Sequence, residues 1–272
     1  MNLHPQDFRF FADLLKRESG LSLTADKTYL LESRLQPVVN RHALDGIAGL
    51  AHRLRGGGTA LLLRDVVEAM ATCETSFFRD MTPFDTLRDK VIPALAAARG
   101  REKYLRIWSA ACASGQEPYS IAMLLKNHPL LQGWRFEIEA SDISEDILNV
   151  ARAGSYSQFE IQRGLPAALL VRHFTKDGER YVVKPDIKAH VRFLRRNLLA
   201  GTYGLGVFDF IFCRNVMIYF DAADKRRVLQ SLQGALRRDG ALFLGGAETV
   251  MGLSDHFRPM PGGAGAYILA EA

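Results

Sequence analysis

Through residues 1–72 the apolar positions recur every three to four residues, a spacing that predicts helices over 8–17, 27–39, 47–54 and 60–71. Gly20, Gly46 and the glycine run 56–58 punctuate them. From residue 105 the pattern changes. Short apolar runs at 105–108, 136–140, 208–213 and 241–245 alternate with helical patterns at 119–126, 145–152 and 223–236. That alternation predicts a parallel, doubly wound sheet. A last run, 266–270, follows a glycine-rich turn and predicts an antiparallel strand at an edge. One stretch, 156–197, breaks the alternation: a helix pattern at 167–173, then Asp177-Gly178 between extended segments at 181–183 and 191–194. Asp-Gly in that setting is a hairpin signal. The residues leave two readings open there, a small antiparallel β insertion at about 174–194 or a long crossover connection.

The segment YLRIWSAACASGQEPYS (104–120) joins an apolar strand to a helix through Ala110, Ala111, Cys112, Ala113, Ser114 and Gly115. Tiny side chains let backbone amides approach a nucleotide-like ligand closely, though they serve equally for tight packing at a strand-to-helix turn. Glu117 beside Pro118 marks the helix start, where a carboxylate is favoured by the helix dipole. Asp142 follows the next predicted strand at the same edge, the place where an acid accepts hydrogen bonds from ribose hydroxyls. Ser144 is the better cap for the following helix, which leaves Asp142 for that task.

Composition narrows the class without naming a chemistry. A chain of 272 residues with 48% hydrophobic and 24% charged content suits one large or two modest soluble domains. No apolar run is long enough for a bilayer, and MNLHPQDF lacks the pattern of a secretory leader, so a cytoplasmic location without membrane insertion is expected. Three cysteines, Cys73, Cys112 and Cys213, lie far apart in sequence, and the seven histidines show no ligand spacing; neither a disulfide framework nor a metal is expected. The net charge of +5 favours acidic partners mildly and does not by itself indicate nucleic acid. Residues 1–72 are nearly balanced, nine Lys and Arg against eight Asp and Glu.

Five motifs in order, TCETSFFRD (72–80), WSAACASGQEPYS (108–120), ASDIS (140–144), NLL (197–199) and CRNVMIYFD (213–221), resemble the CheR family of chemotaxis receptor methyltransferases, over almost the whole chain. The resemblance implies an α/β, Rossmann-like doubly wound methyltransferase sheet with a small β insertion, preceded by a small all-helical N-terminal domain. The domains then run 1–72, 73–103 as linker and entry helix, and 104–272. It implies S-adenosyl-L-methionine as cofactor and transfer of its methyl group to glutamate side chains of methyl-accepting chemoreceptor cytoplasmic domains. No nucleic-acid partner is expected, and a monomer is. Carried over position by position, it implies that Thr75, Arg79, Ala111, Glu117, Asp142, Asn197, Leu198, Arg214 and Asn215 line the cofactor pocket, and that Arg79, Tyr219 and Arg214 are catalytic. The chain departs from the family at Cys73, where Asn is usual.

Elementary chemistry agrees with the absence of a His/Asp or Cys/His constellation in these motifs. A glutamate carboxylate, with a pKa of about 4.3, is already a nucleophile near neutral pH, and positioning is the main demand. Arg79 suits a carboxylate, either on the cofactor's methionine tail or on the substrate; its bland alternative is a surface ion pair. Tyr219 has core packing as its alternative, and Asn197 and Asn215 have turn or cap roles. Arg34 and Arg41 lie seven apart on the second helix, a spacing suited to an acidic partner helix or to plain solvation, with Pro37 expected to interrupt that helix. The insertion captures a receptor C-terminal peptide in some relatives; the short hairpin at Asp177-Gly178 points to independence from such a tether here. Two rivals stand beside this: methylation of nucleic acid, and a non-catalytic adenosylmethionine-binding module that docks receptors or signalling proteins.

Overall fold

The computed structural model describes residues 3–202 and 204–270, which divide into two compact units: residues up to Thr72 together with Tyr219–Asp224, and Cys73–Ile218 with Lys225 onward. In the first unit, α1 (Pro5–Ser19), α2 (Thr28–Arg41), α3 (Gly46–Arg55) and α4 (Ala60–Met70) bury one apolar face each, with Phe11, Leu15, Leu31, Leu35, Leu50 and Val66 fully enclosed. Pro37 does not interrupt α2, contrary to expectation. The helix runs through it because Leu35, Val38 and Val39 on either side are buried, and their packing offsets the lost amide bond. Of the two arginines on α2, Arg41 is exposed as expected, while Arg34 turns to the end of α4. Arg34 Nη1 donates to the carbonyls of Met70 (2.8 Å) and Ala71 (3.4 Å) and to Thr72 Oγ1 (3.0 Å), satisfying the end of α4, and Arg41 lies 3.4 Å from the buried Asp65 carboxylate.

The second unit opens with α5 (Thr82–Thr86), which passes through a π turn at Leu87–Val91 into α6 (Ile92–Arg99). Its main sheet has seven strands in the order β6-β2-β1-β7-β8-β10-β9. These are β1 (Tyr104–Ala110), β2 (Arg135–Asp142), β6 (Val191–Arg195), β7 (Phe208–Cys213), β8 (Leu236–Leu244), β9 (Phe257–Pro259) and β10 (Ala266–Leu269). The first five in that order pair in parallel, while β10 pairs antiparallel with β8 and β9 antiparallel with β10. Strand β7, FDFIFC, is buried at all six positions, as a parallel strand covered on both faces must be. Helices α7 (Gln116–Asn127), α8 (Glu145–Ala153) and α12 (Ala222–Ala235) are the connecting helices of the alternation. The chain moves outward from β1 to β2 to β6 and then returns to the other side of β1 with β7, so the order reverses between β1 and β7. A crevice at the carboxyl ends of the strands is the ligand position such a reversal creates.

The small insertion is a separate three-stranded sheet, β3-β5-β4, made of β3 (Ser155–Ser157), β4 (Phe174–Asp177) and β5 (Arg180–Val183), all antiparallel. Short helices α9 (Gln158–Gln162), α10 (Ala167–His173) and α11 (Pro185–Lys188) flank it. Two boundaries differ from expectation. The insertion begins at Ser155 rather than near 174, and Val191–Arg195 belongs to the main sheet, paired in parallel with β2 from Ile138 to Asp142. The last strand is not the edge either, because β9 lies outside β10.

Candidate active site

The small-residue loop between β1 and α7 is a strained, braced turn. Ala111 (φ +60°), Ala113 (φ +47°) and Gly115 (φ +93°) all lie in left-handed backbone, which costs an alanine on the order of 1–2 kcal/mol. Neighbouring groups hold it there. Cys112 N donates to Ser141 O (2.9 Å), Ala113 N to Asp142 Oδ2 (2.9 Å), and Tyr156 Oη to Ser114 O (2.8 Å). Gly115 cannot be replaced: a Cβ would lie 2.9 Å from Ala151 Cβ and 3.1 Å from Tyr156 Oη. With Gly115 N bonded to Cys112 O (3.1 Å), three of the loop's amides are committed within the protein.

Asp142, expected to stand apart from local structure, is a brace as well. Its Oδ1 accepts from Ser144 N (3.1 Å) and its Oδ2 from Ala113 N, so the end of β2 holds the loop after β1. Ser144 does cap α8, accepting from Ile147 N at 3.3 Å.

Glu117, in the first turn of α7, is enclosed beside the strand reversal. Ser109 Oγ on β1 donates to its Oε1 (2.8 Å), and Arg214 Nη1, just past β7, donates to its Oε2 (3.0 Å). Burial pushes the Glu117 carboxyl above its ordinary range, opposed by the Arg214 charge and the bonds from Ser109 and Arg214. Arg214, its side chain 1% exposed, also donates through Nη2 to Arg79 O and to Asp80 Oδ2, both at 2.8 Å, and its guanidinium lies over the Phe84 ring at 5.8 Å. Both Nη groups are thus committed to protein partners, while the buried Nε has none among the described residues.

The turn it grips carries Arg79. Phe78, Asp80 and Met81 all have positive φ (+48°, +63° and +28°), and Phe78 N is tied to Ser120 Oγ on α7 at 3.0 Å. The half-exposed Arg79 side chain folds back to donate to Glu74 O (2.9 Å). Thr75 is half-buried in the same segment. Asn197 and Leu198 follow β6, where Asn197 Oδ1 caps a short turn by accepting from Leu199 N (3.0 Å). Asn215 follows Arg214 with φ +57°. Ala111, Glu117, Asp142, Asn197, Leu198, Arg214 and Asn215 therefore sit at the carboxyl ends of β1, β2, β6 and β7, and Arg79 joins them through its carbonyl. Tyr219 belongs to the helical unit, where its carbonyl accepts from Ser22 N (2.9 Å).

Sequence reasoning missed Asp80, Ser109, Tyr156 and Glu248. The last accepts backbone bonds from Asn215, Val216 and Met217. Its only sequence signal is an acid in a glycine-bearing segment directly after an apolar strand. Cys112 and Cys213 are buried at the site, and burial pushes both thiols well up. Among the described residues no group of three or more His, Cys, Asp or Glu is gathered as a metal site, and no helix is long and apolar enough to cross a membrane.

Residues 6–71 match the family model of the CheR methyltransferase all-alpha domain, and residues 73–265 that of the CheR methyltransferase SAM binding domain. The chain is 40% identical over 260 residues to chemotaxis protein methyltransferase 1 of Pseudomonas aeruginosa, covering 93% of each chain. It is 38% identical over 257 residues to chemotaxis protein methyltransferase Cher2 of Pseudomonas putida (93% of each), and 38% over 261 residues to a chemotaxis protein methyltransferase of Vibrio parahaemolyticus (94% of each).

Proposed function

This chain belongs to the CheR methyltransferase family and uses S-adenosylmethionine, and from that premise we propose that it methylates glutamate side chains on chemoreceptor cytoplasmic helices, forming glutamate methyl esters. The residues present fit the cofactor. A turn of alanines and glycine leaves the carboxyl edge of β1 without bulky side chains, and two carboxylates, Glu117 and Asp142, flank it, matching a ligand that carries cationic groups and ribose hydroxyls. Asp142, Asn197, Leu198 and Asn215 would hold the nucleoside part, and Thr75, Arg79, Ala111 and Glu117 the amino-acid part. When bound, the cofactor supplies a methyl group on a sulfonium sulfur, an electrophile that an ionised carboxylate attacks directly.

The observation that carries the proposal is the Arg214 bridge, which binds Glu117 on α7 to the turn bearing Arg79. Arg79 then orients the incoming carboxylate, and the family likeness gives Tyr219 a part in transfer. A grip on the attacking oxygen itself would blunt the nucleophile, so orientation is the role its fork suits. The two thiols at the site, held protonated by burial, supply neither nucleophile nor base. A glutamate acceptor needs neither.

The test is transfer of labelled methyl from S-adenosylmethionine to a panel of receptor cytoplasmic domains, with mapping of base-labile esters. Esters on glutamates, lost in Arg79→Ala, are expected. Cofactor binding without label in any receptor fragment would instead favour the docking module.

A further inference from the structure

Strand β8 ends at Leu244 and runs into Gly245, Gly246, Ala247 and Glu248, a turn closed by Glu248 N donating to Gly245 O at 2.9 Å. The turn brings the Glu248 carboxylate back to the end of β7. There Oε2 accepts from Asn215 N and Gly245 N, both at 2.7 Å, and Oε1 accepts from Val216 N (3.0 Å) and Met217 N (2.7 Å). Three successive amides form the kind of concavity that binds anions, and here an internal carboxylate fills it. Such charge-assisted bonds are the strong ones, and three of the four come from a backbone turn whose first residue, Asn215, is left-handed. Gly245 leaves no slack: a Cβ there would lie 2.7 Å from Glu248 Oε2 and 2.8 Å from Asn215 Nδ2.

We propose that Glu248 is a positioning residue for methyl transfer, fixing the Arg214–Asn215 turn so that Asn215 borders the cofactor and Arg214 reaches Glu117 and the turn of Arg79. This rests on the site proposed above. Both oxygens are required, so an amide is a poor substitute: Glu248→Gln loses two of the four acceptors and sets an NH2 group against backbone N–H donors. Glu248→Asp keeps the charge on a stem one carbon shorter and should reach fewer of the amides.

The experiment measures S-adenosylhomocysteine affinity by calorimetry, KM for S-adenosylmethionine and kcat, and amide exchange at residues 215–217, for wild type, Glu248→Gln, Glu248→Asp and Asn215→Ala. Leu232→Ala in the buried face of α12 controls for lost stability alone. Glu248→Gln is expected to weaken the homocysteine analogue at least about tenfold and to unprotect amides 215–217, with Glu248→Asp between it and wild type. Leu232→Ala should leave affinity intact. If Asn215→Ala weakens binding but neither Glu248 variant does, Glu248 merely holds the fold and the inference falls. If Asn215→Ala binds as wild type does, the site assignment fails first and takes the inference with it. Should Glu248→Gln not fold, Glu248→Asp decides alone, wild-type affinity in it being the overturning result.

Discussion

Replacing Arg214 by methionine should destabilise the methyltransferase unit, and by an amount that grows with pH. Methionine approximates the aliphatic stem, so the change removes the charge and its bonds to Glu117, Asp80 and the Arg79 carbonyl while retaining much of the packing. Removing one member of a buried ion pair costs about 3–5 kcal/mol, because the other is left as an uncompensated charge. With a urea m-value near 2.5 kcal/mol/M, that is a midpoint lower by about 1–2 M. The sign with pH follows from Glu117. Its folded-state pKa is raised by burial, so the native state binds the proton more tightly, and stability falls as pH rises from the ordinary value of 4.5 through the folded pKa. Arg214 opposes that rise; without it the folded pKa climbs further and the window widens upward. Urea unfolding of both proteins at about pH 5 and pH 8 should therefore give a larger stability gap at the higher pH. An equal gap at both would refute the claim that the cost lies in an unpaired Glu117 carboxylate.

Gly115→Ala forces a Cβ against Ala151 at a backbone φ of +93°, so a loss of about 2–5 kcal/mol and abolished binding of S-adenosylhomocysteine are expected; a melting temperature within about 2 °C of wild type would show that the turn can shift. His173 ties α10 to α7, since its Nε2 accepts from Asn127 Nδ2 at 2.7 Å, and burial pushes its pKa below the ordinary 6.5. A depressed histidine contributes stability present above that value and lost as pH falls through the window beneath it. Once the intrinsic pH dependence of amide exchange is divided out, protection in β4 and β5 should fall between about pH 7.5 and 5.5, and protection that is unchanged or greater at the lower pH would contradict the assignment.

The central fold was legible from apolar strand patterns alternating with helical ones, although β2 (RFEIEASD) carries exposed and buried positions in turn through its first half. The wholly buried β7 is the clearest case. What escaped lies at the margins of the sheet. Strand β6 (VRFLR) has no fully buried position because it is an edge strand, and its two exposed arginines make it read as part of the neighbouring insertion. Strand β9 has three residues, too few to show any period. The first half of β8 is Leu-Arg-Arg-Asp-Gly, which reads as a loop, yet it extends the strand through a register irregularity opposite Phe208 and Phe210. Arg34 is the converse case. Its spacing from Arg41 is real, but its partners are thirty-six to thirty-eight residues away at the end of α4, so helical periodicity alone assigns it outward.

The site was readable wherever its parts are local, as in the small-residue turn, and unreadable where they are joined through space. Arg214 reaches Glu117 across 97 residues and Asp80 across 134. A buried ion pair of this kind is weak evidence for stability, since apolar side chains of similar volume often serve as well or better. Its value lies in geometry. An apolar contact tolerates sliding, whereas a guanidinium bonded to a carboxylate, a second acid and a backbone carbonyl accepts one arrangement of three chain segments. Methyl transfer makes that demand, because a carboxylate that needs no activation must be held in line with the methyl donor, and oriented approach is where the rate is gained. The left-handed residues at 78, 80, 111, 113 and 215 point the same way: backbone strain gathers in the segments that the Arg214, Asp142 and Glu248 bonds restrain, and is held there by those bonds.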